Sequence, residues 1–383
     1  MRAATVLAML TIACCAMAEI SDAEWRAMRE RALARKREVI YNNDGNEPYI
    51  WPTNLAFSIQ AFLDMRTTPV LGSQVDTVFY CPVSSGFGFL TANIPSADLM
   101  LRDLGTVKHL AGKKNVLQQF LDAGTDPVRE VVSWCRKNSY EIFVSLRVND
   151  THDQGTDQTK TGPPYAYPGN ALFSPFKIQH PEFLMGSHTN RPPSGNWSAV
   201  DFTHAAVRDR LFRMCRDICT HYDIDGLDLD FMRHIQLFKS VAWGGVASPA
   251  ERAMMTETMR QIREAAERAG HARGRPILLS VRVPDSVPYC SDVGIDIEAW
   301  LKEGLVDMVT GTSYFQLNPW TYLVSLCRPH GVRAYASLDE SRLPESPVLR
   351  RSDKATYRAR AMAARRAGVD GVSYFNRFTA AEI

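Results

Sequence analysis

Eight short runs rich in Val, Ile, Leu, Phe and Tyr, spaced by segments of helical character, constrain this chain more than any other feature. They fall at 38–42, 76–81, 141–148, 226–231, 276–283, 306–312, 332–338 and 371–375. Strand runs alternating with helices predict βα units around a parallel sheet, and eight such units predict a closed (β/α)8 TIM barrel. The intervening segments agree: 203–222 and 249–269 carry apolar residues at helical spacing, and 352–367 is rich in Ala and Arg behind a Ser352/Asp353 cap. The connections after the second strand (82–126) and the third (149–202) are long, and in barrels such insertions build the binding face.

The chain has 383 residues, 45% of them hydrophobic and 22% charged, which suits one large domain over 19–383. Its formal charge is +2, with no basic tract and no nucleic-acid module, so nucleic acid is not an expected partner. Residues 1–18 read as a signal peptide: a short basic start, an apolar run and an Ala16-Met17-Ala18 ending. Export to a periplasmic or extracellular location is expected, and Cys14 follows a poor lipobox because its leucine sits one position too early. No later segment has the roughly 20 apolar residues of a membrane span, so no membrane association is expected. Six cysteines remain after cleavage, too sparsely spaced for a disulfide scaffold. Cys215 and Cys219 sit four apart on a predicted helix without a matching Cys or His pair, which reads as buried thiols. The sequence stops soon after the eighth run. Residues 19–37, with a Ser21/Glu24 capping box, are therefore expected to form a helix covering the seam between strands eight and one.

Barrel chemistry sits at the C-terminal strand ends, and here those ends are polar. The first offers Asn42, Asn43 and Asp44; the third Arg147, Asn149, His152 and Asp153; the fourth Asp228, Asp230, Arg233 and His234. The fifth offers Arg282 and Asp285, the sixth Tyr314, the seventh Asp339 and Glu340, and the eighth Tyr374 and Asn376. All are expected at the site. Strand alternation puts Asp228 and Asp230 on one face. The third and fifth strands echo one another as S-[LV]-R-V-[NP]-D, so Arg147 and Arg282 share the inward phase of Ser145 and Ser280. Guanidinium groups inside a barrel need partners, and Asp228 and Asp230 are the obvious ones. The arrangement reads as a structural ion-pair cluster, or as a device that keeps carboxylates ionised or clamps an acidic substrate group.

Two carboxyl groups on opposite strands meet the requirement of glycoside hydrolysis. Asp230 is expected as the general acid with a raised pKa, Glu340 as nucleophile or base, Asp228 as part of the ion-pair network, and Asp339 as a competitor of Glu340. Trp197 and Trp243, in long loops, are the expected sugar platforms, with Trp300 in the core. Arg147, Arg233 and Arg282 point to uronic or sulfated groups. There is no HxH, HExxH, G-x-S-x-G elbow or Gly-rich phosphate loop, and no cofactor is expected. Two other readings stand beside this one: an inert glycan-binding barrel, and a metal-dependent hydrolase using His152, Asp153, Asp228 and Asp230.

The run Asp225-Gly226-Leu227-Asp228-Leu229-Asp230-Phe231 resembles the fourth-strand motif of family 18 chitinases. Where their pattern places a proton-donating glutamate, this chain has Met232, which argues against the chitinase mechanism. With NNDG early, SLRVNDTHD in the middle and RPILLSVRVPDS later, the chain is more similar to the bacterial family-10-like glycosyl hydrolases, over roughly 39–375. That resemblance implies a barrel hydrolase with its acid/base on strand four and its nucleophile on strand seven, acting on a carbohydrate.

Overall fold

A computed structural model describes residues 20–82, 86–102, 112–156, 171–311, 316–338 and 354–375. Eight parallel strands close into a barrel in chain order: β1 Val39–Asn43, β2 Thr77–Tyr80, β3 Glu141–Arg147, β4 Gly226–Asp230, β5 Leu278–Val283, β6 Met308–Gly311, β7 Arg333–Leu338 and β8 Gly371–Tyr374. β1 pairs with both β2 and β8, which completes the ring and leaves the sheet without an edge. Every one of the eight runs is a barrel strand. The expected helices are present at Ala205–His221, Pro249–Arg273 and Lys354–Arg366, the second with a Ser248/Glu251 capping box and Gly274 ending it at φ 70°. The predicted cap of the third, Ser352 and Asp353, lies outside the described residues.

Strand alternation divides the interior into three levels. At the N-terminal end, Ile40, Phe79, Phe143, Leu278, Met308 and Tyr335 form an apolar floor, with Phe79 stacked on Phe143 at 4.7 Å. Gly226 belongs to this level, and a Cβ there would lie 2.0 Å from Phe143 Cε1, so the Gly of the fourth-strand motif is a packing requirement. Two residues further along each strand come Asn42, Cys81, Ser145, Asp228, Ser280, Thr310, Ser337 and Ser373, all buried. Two residues beyond those stand Asp44, Arg147, Asp230, Arg282 and Phe375. The barrel passes from apolar to hydroxyl-rich to charged along its axis.

The N-terminal helix exists, at Asp22–Ala34, with the predicted capping box. Its position differs from the expected seam. Trp25 Nε1 donates to Glu267 at 2.8 Å and its ring stacks on His271, while Arg29 binds Glu267 and Asp307. Ala32 and Leu33 pack on the apolar floor, and Arg37 follows with two bonds of 2.6 Å to Glu141 at the foot of β3. The helix closes the base of the barrel because its apolar residues meet the floor and its Trp and Arg meet acids around the rim. All six cysteines from Cys81 to Cys327 are buried free thiols, and Cys215 and Cys219 have no metal-ligand set around them among the described residues. No described helix is long and apolar enough to cross a membrane.

Candidate functional site

Register decides which charges meet. Asp230 lies opposite Arg147 on one side and Arg282 on the other. Arg282 takes it in a fork, Nε to Oδ1 at 3.0 Å and Nη2 to Oδ2 at 2.6 Å, and the Met232 and Arg233 amides donate to Oδ1 at 2.9 and 3.0 Å. The Arg282 guanidinium lies 3.5 Å from the centre of the Phe375 ring, which holds it over the bundle of side chains. Four donors therefore converge on the Asp230 carboxyl, two of them from one guanidinium. The ion-pair part expected of Asp228 is thus taken by Asp230.

Asp228 sits one level deeper and accepts from Ser145 Oγ at 2.7 Å, while its other oxygen has no hydrogen-bond partner among the described residues. Burial raises its carboxyl to about 7, an effect that the Ser145 and Ser280 hydroxyls offset only in part and that Asp230 reinforces. Asn42 Oδ1, Thr310 Oγ1 and Ser337 Oγ at the same level are likewise buried without hydrogen-bond partners among the described residues.

On the β1–β3–β4 side, Arg147 is paired with Asp44 and also donates to Asp150 Oδ2 at 3.3 Å. Burial pushes Asp44 up, but Arg147 and Arg233 outweigh it and hold that carboxyl below its usual range. Asp150 is likewise buried, yet His152, His234 and Arg147 hold it well below the usual carboxylate range. His152 Nδ1 lies 2.7 and 2.9 Å from the two Asp150 oxygens, and its Nε2 meets Arg233 Nη2 at 2.9 Å. His234 packs edge-on against His152, its Nδ1 accepts from the Thr151 amide at 3.3 Å, and burial keeps it well below the usual histidine range. Asp150 and Phe375 were not among the residues expected at the site. Asp150 follows Arg147 by three positions, a spacing that puts a carboxylate within reach of that guanidinium and could have exposed it.

Several expected site residues have other work. Asn149 ties the loops after β3 and β4 together, donating to Val200 O and Gln236 O and accepting from Val200 N. Asp153 is buried against Lys177 and Ser198; burial raises it to about 6 despite both partners, and it braces the loop rather than facing a substrate. Asp285 accepts from the Leu317 and Asn318 amides and fixes the turn after β6. Asn43 takes the outward phase, donating to buried Glu47 at 2.7 Å, and Tyr374 packs against Tyr357 of the outer helix. Trp197 is buried with its Nε1 on Gln154 O, so it is no platform; Trp300 is core as expected. Trp243 remains 41% exposed with Nε1 held by Met185 O at 2.8 Å. Tyr314, Asp339, Glu340 and Asn376 lie outside the described residues.

The four proposed metal ligands do not converge, since Asp153 faces Lys177 and Asp228 and Asp230 face the axis. Asp150, His152 and His234 do bring ligand atoms within 4.8 Å of one another. His152 Nδ1 lies directly on the Asp150 carboxylate, however, its Nε2 is on Arg233, and Arg147 reaches the same carboxylate. The two guanidinium groups so close to the trio disfavour a cation there.

No protein-family model matches the chain and no curated protein does, so the likeness to family-10-like proteins rests on its motifs. Among solved structures, the PgaB (BpsB) glycoside hydrolase domain from Bordetella bronchiseptica matches at a TM-score of 0.52 and 13% identity, covering 89% of this chain and 93% of that one. Alpha-L-fucosidase isoenzyme 2 from Paenibacillus thiaminolyticus matches at 0.47 and 10%, covering 89% and 46%. A family 18 N-acetylglucosaminidase from Paenibacillus barengoltzii matches at 0.44 and 13%, covering 89% and 95%. The first of these is a likeness of fold alone, to a glycoside hydrolase domain built as a TIM barrel.

Proposed function

We propose that this chain is an exported glycoside hydrolase that cleaves a polysaccharide or oligosaccharide at the C-terminal mouth of its barrel. The observation that carries the reading is the Asp230 carboxyl, fixed by a guanidinium fork and two amides at the end of β4. In such a place a carboxylate stabilises the positive charge that develops on a sugar ring as its glycosidic bond breaks. Glu340, two residues past the end of β7, is the proposed second carboxyl, protonating the departing oxygen. Arg233 stands at the mouth against His152 Nε2, and its guanidinium favours a substrate with acidic substituents. Asp230→Asn and Glu340→Gln are each expected to lower turnover on a responsive glycan by at least about 100-fold, with the circular dichroism spectrum unchanged. Full activity in either variant removes that residue from the mechanism. Binding of glycans without products from the unaltered chain would favour an inert barrel instead.

A further inference from the structure

Every carboxylate at the described part of the mouth is buried and engaged: Asp44 by Arg147, Asp150 by His152 and Arg147, Asp153 by Lys177, Asp230 by Arg282, and Asp285 by backbone amides. None of them is placed to take a proton from water. One titratable group there differs. The His152 side chain is 35% exposed, follows β3 by five residues and touches Arg233 just beyond β4.

Its two ring nitrogens have opposite partners, and this fixes the tautomer. Asp150 is an acceptor, so Nδ1 carries the hydrogen; Arg233 can only donate, so Nε2 presents its lone pair. Asp150 in turn receives the His152 amide at 2.9 Å and Arg147, and Lys177 Nζ donates to the Asp150 carbonyl at 3.2 Å, so the carboxylate cannot rotate away. An ionised, immobilised acid holding Nδ1–H while Nε2 faces outward is the arrangement that makes an imidazole an oriented base.

Resting on the reading of the chain as a glycosidase, we propose that His152, oriented by Asp150, is the general base that activates the attacking water. Nε2 takes one proton from water as the water oxygen bonds to the anomeric carbon. The glycosidic C–O bond breaks, and its oxygen takes a proton from the acid proposed at Glu340. Water adds from the face opposite the leaving group, so the product has inverted configuration. The groups facing His152 are Asp150 and, through it, Arg147 from β3, Arg233 and His234 from the end of β4, and Asp44 from β1, the last acting through Arg147. Arg233 marks the position where water would donate, and it must yield when substrate enters.

Two measurements test this. Proton NMR of the first product formed from the aryl glycoside or polysaccharide that the unaltered chain hydrolyses is expected to show the inverted anomer; a retained anomer overturns the proposal and leaves the hydrolase reading standing. On the same substrate, His152→Gln is expected to lose about 100-fold or more in kcat with KM little changed. His152→Gly should recover turnover with added imidazole, which a merely structural role would not allow. Unchanged kcat in His152→Gln overturns the proposal. Independently of activity, nitrogen-15 NMR of the imidazoles is expected to show His152 protonated at Nδ1 in the unaltered chain, with that preference lost in Asp150→Asn. An Nε2–H tautomer overturns it. Failure of the unaltered chain on every glycan removes both the base and the reading beneath it.

Discussion

Asp228 and Asp230 are two positions apart on one strand and in opposite surroundings. Alternation in the sequence put both on the inner face, but which of them would meet an arginine depended on register, which a single sequence does not show. The fork from Arg282 reaches Asp230 because those residues are paired across β4 and β5, whereas Asp228 is paired with Ser280. The energetic consequence is a pH dependence. Asp228 has its folded value raised to about 7 from 3.8, so its neutral form is the one the fold favours. Its contribution to stability is fully present below pH 3.8 and is lost as pH rises through about 7. Denaturant unfolding between pH 5 and 8 is expected to show stability declining with pH, with the decline flattened in Asp228→Asn. Equal slopes in the two proteins would mean that this carboxyl does not titrate there.

At the scale of elements, β4 shows how a motif can have two causes. Its carboxylates serve the charged level, while Gly226 serves the apolar floor, where no side chain fits beside Phe143. Gly226→Ala is expected to cost about 1–3 kcal/mol through overpacking, read as a lower denaturant midpoint with the same cooperativity. A midpoint equal to that of the unaltered chain would show that Phe143 can move aside. The N-terminal helix was legible as a helix, since Ser21 and Glu24 cap it as their spacing predicts. Its site was not legible, because the partners of Trp25 and Arg29 stand 238 to 278 residues away. Trp25 is buried, and Trp25→Ala is expected to lower stability by about 3–5 kcal/mol, measured by thermal unfolding. No loss of stability would show that the helix adds nothing to the barrel.

For the whole molecule, the eight apolar runs determine the barrel, and they could be read because each strand carries its own alternation and each helix its own period. The site could be read only as a set of polar strand ends. Asn149, Asp153 and Asp285 resemble ligand residues in the sequence, yet they stitch loops together, and their partners come from segments up to 87 residues distant. Asp150 differs in that its partners Arg147 and His152 stand within three residues of it, so only their meeting on the same carboxylate had to come from the structure.

The helix that closes the base also sets an order of events. It is the first described element to leave the ribosome, but its anchors, Glu267 and Asp307, are made more than 230 residues later. Until the fifth and sixth strands have joined the ring, the helix has nowhere to dock, and the long loop that its docking closes adds an entropic cost. The floor of the barrel is therefore expected to seal late. In pulse-labelling hydrogen exchange during refolding, the amides of 22–34 should gain protection after those of β3 and β4.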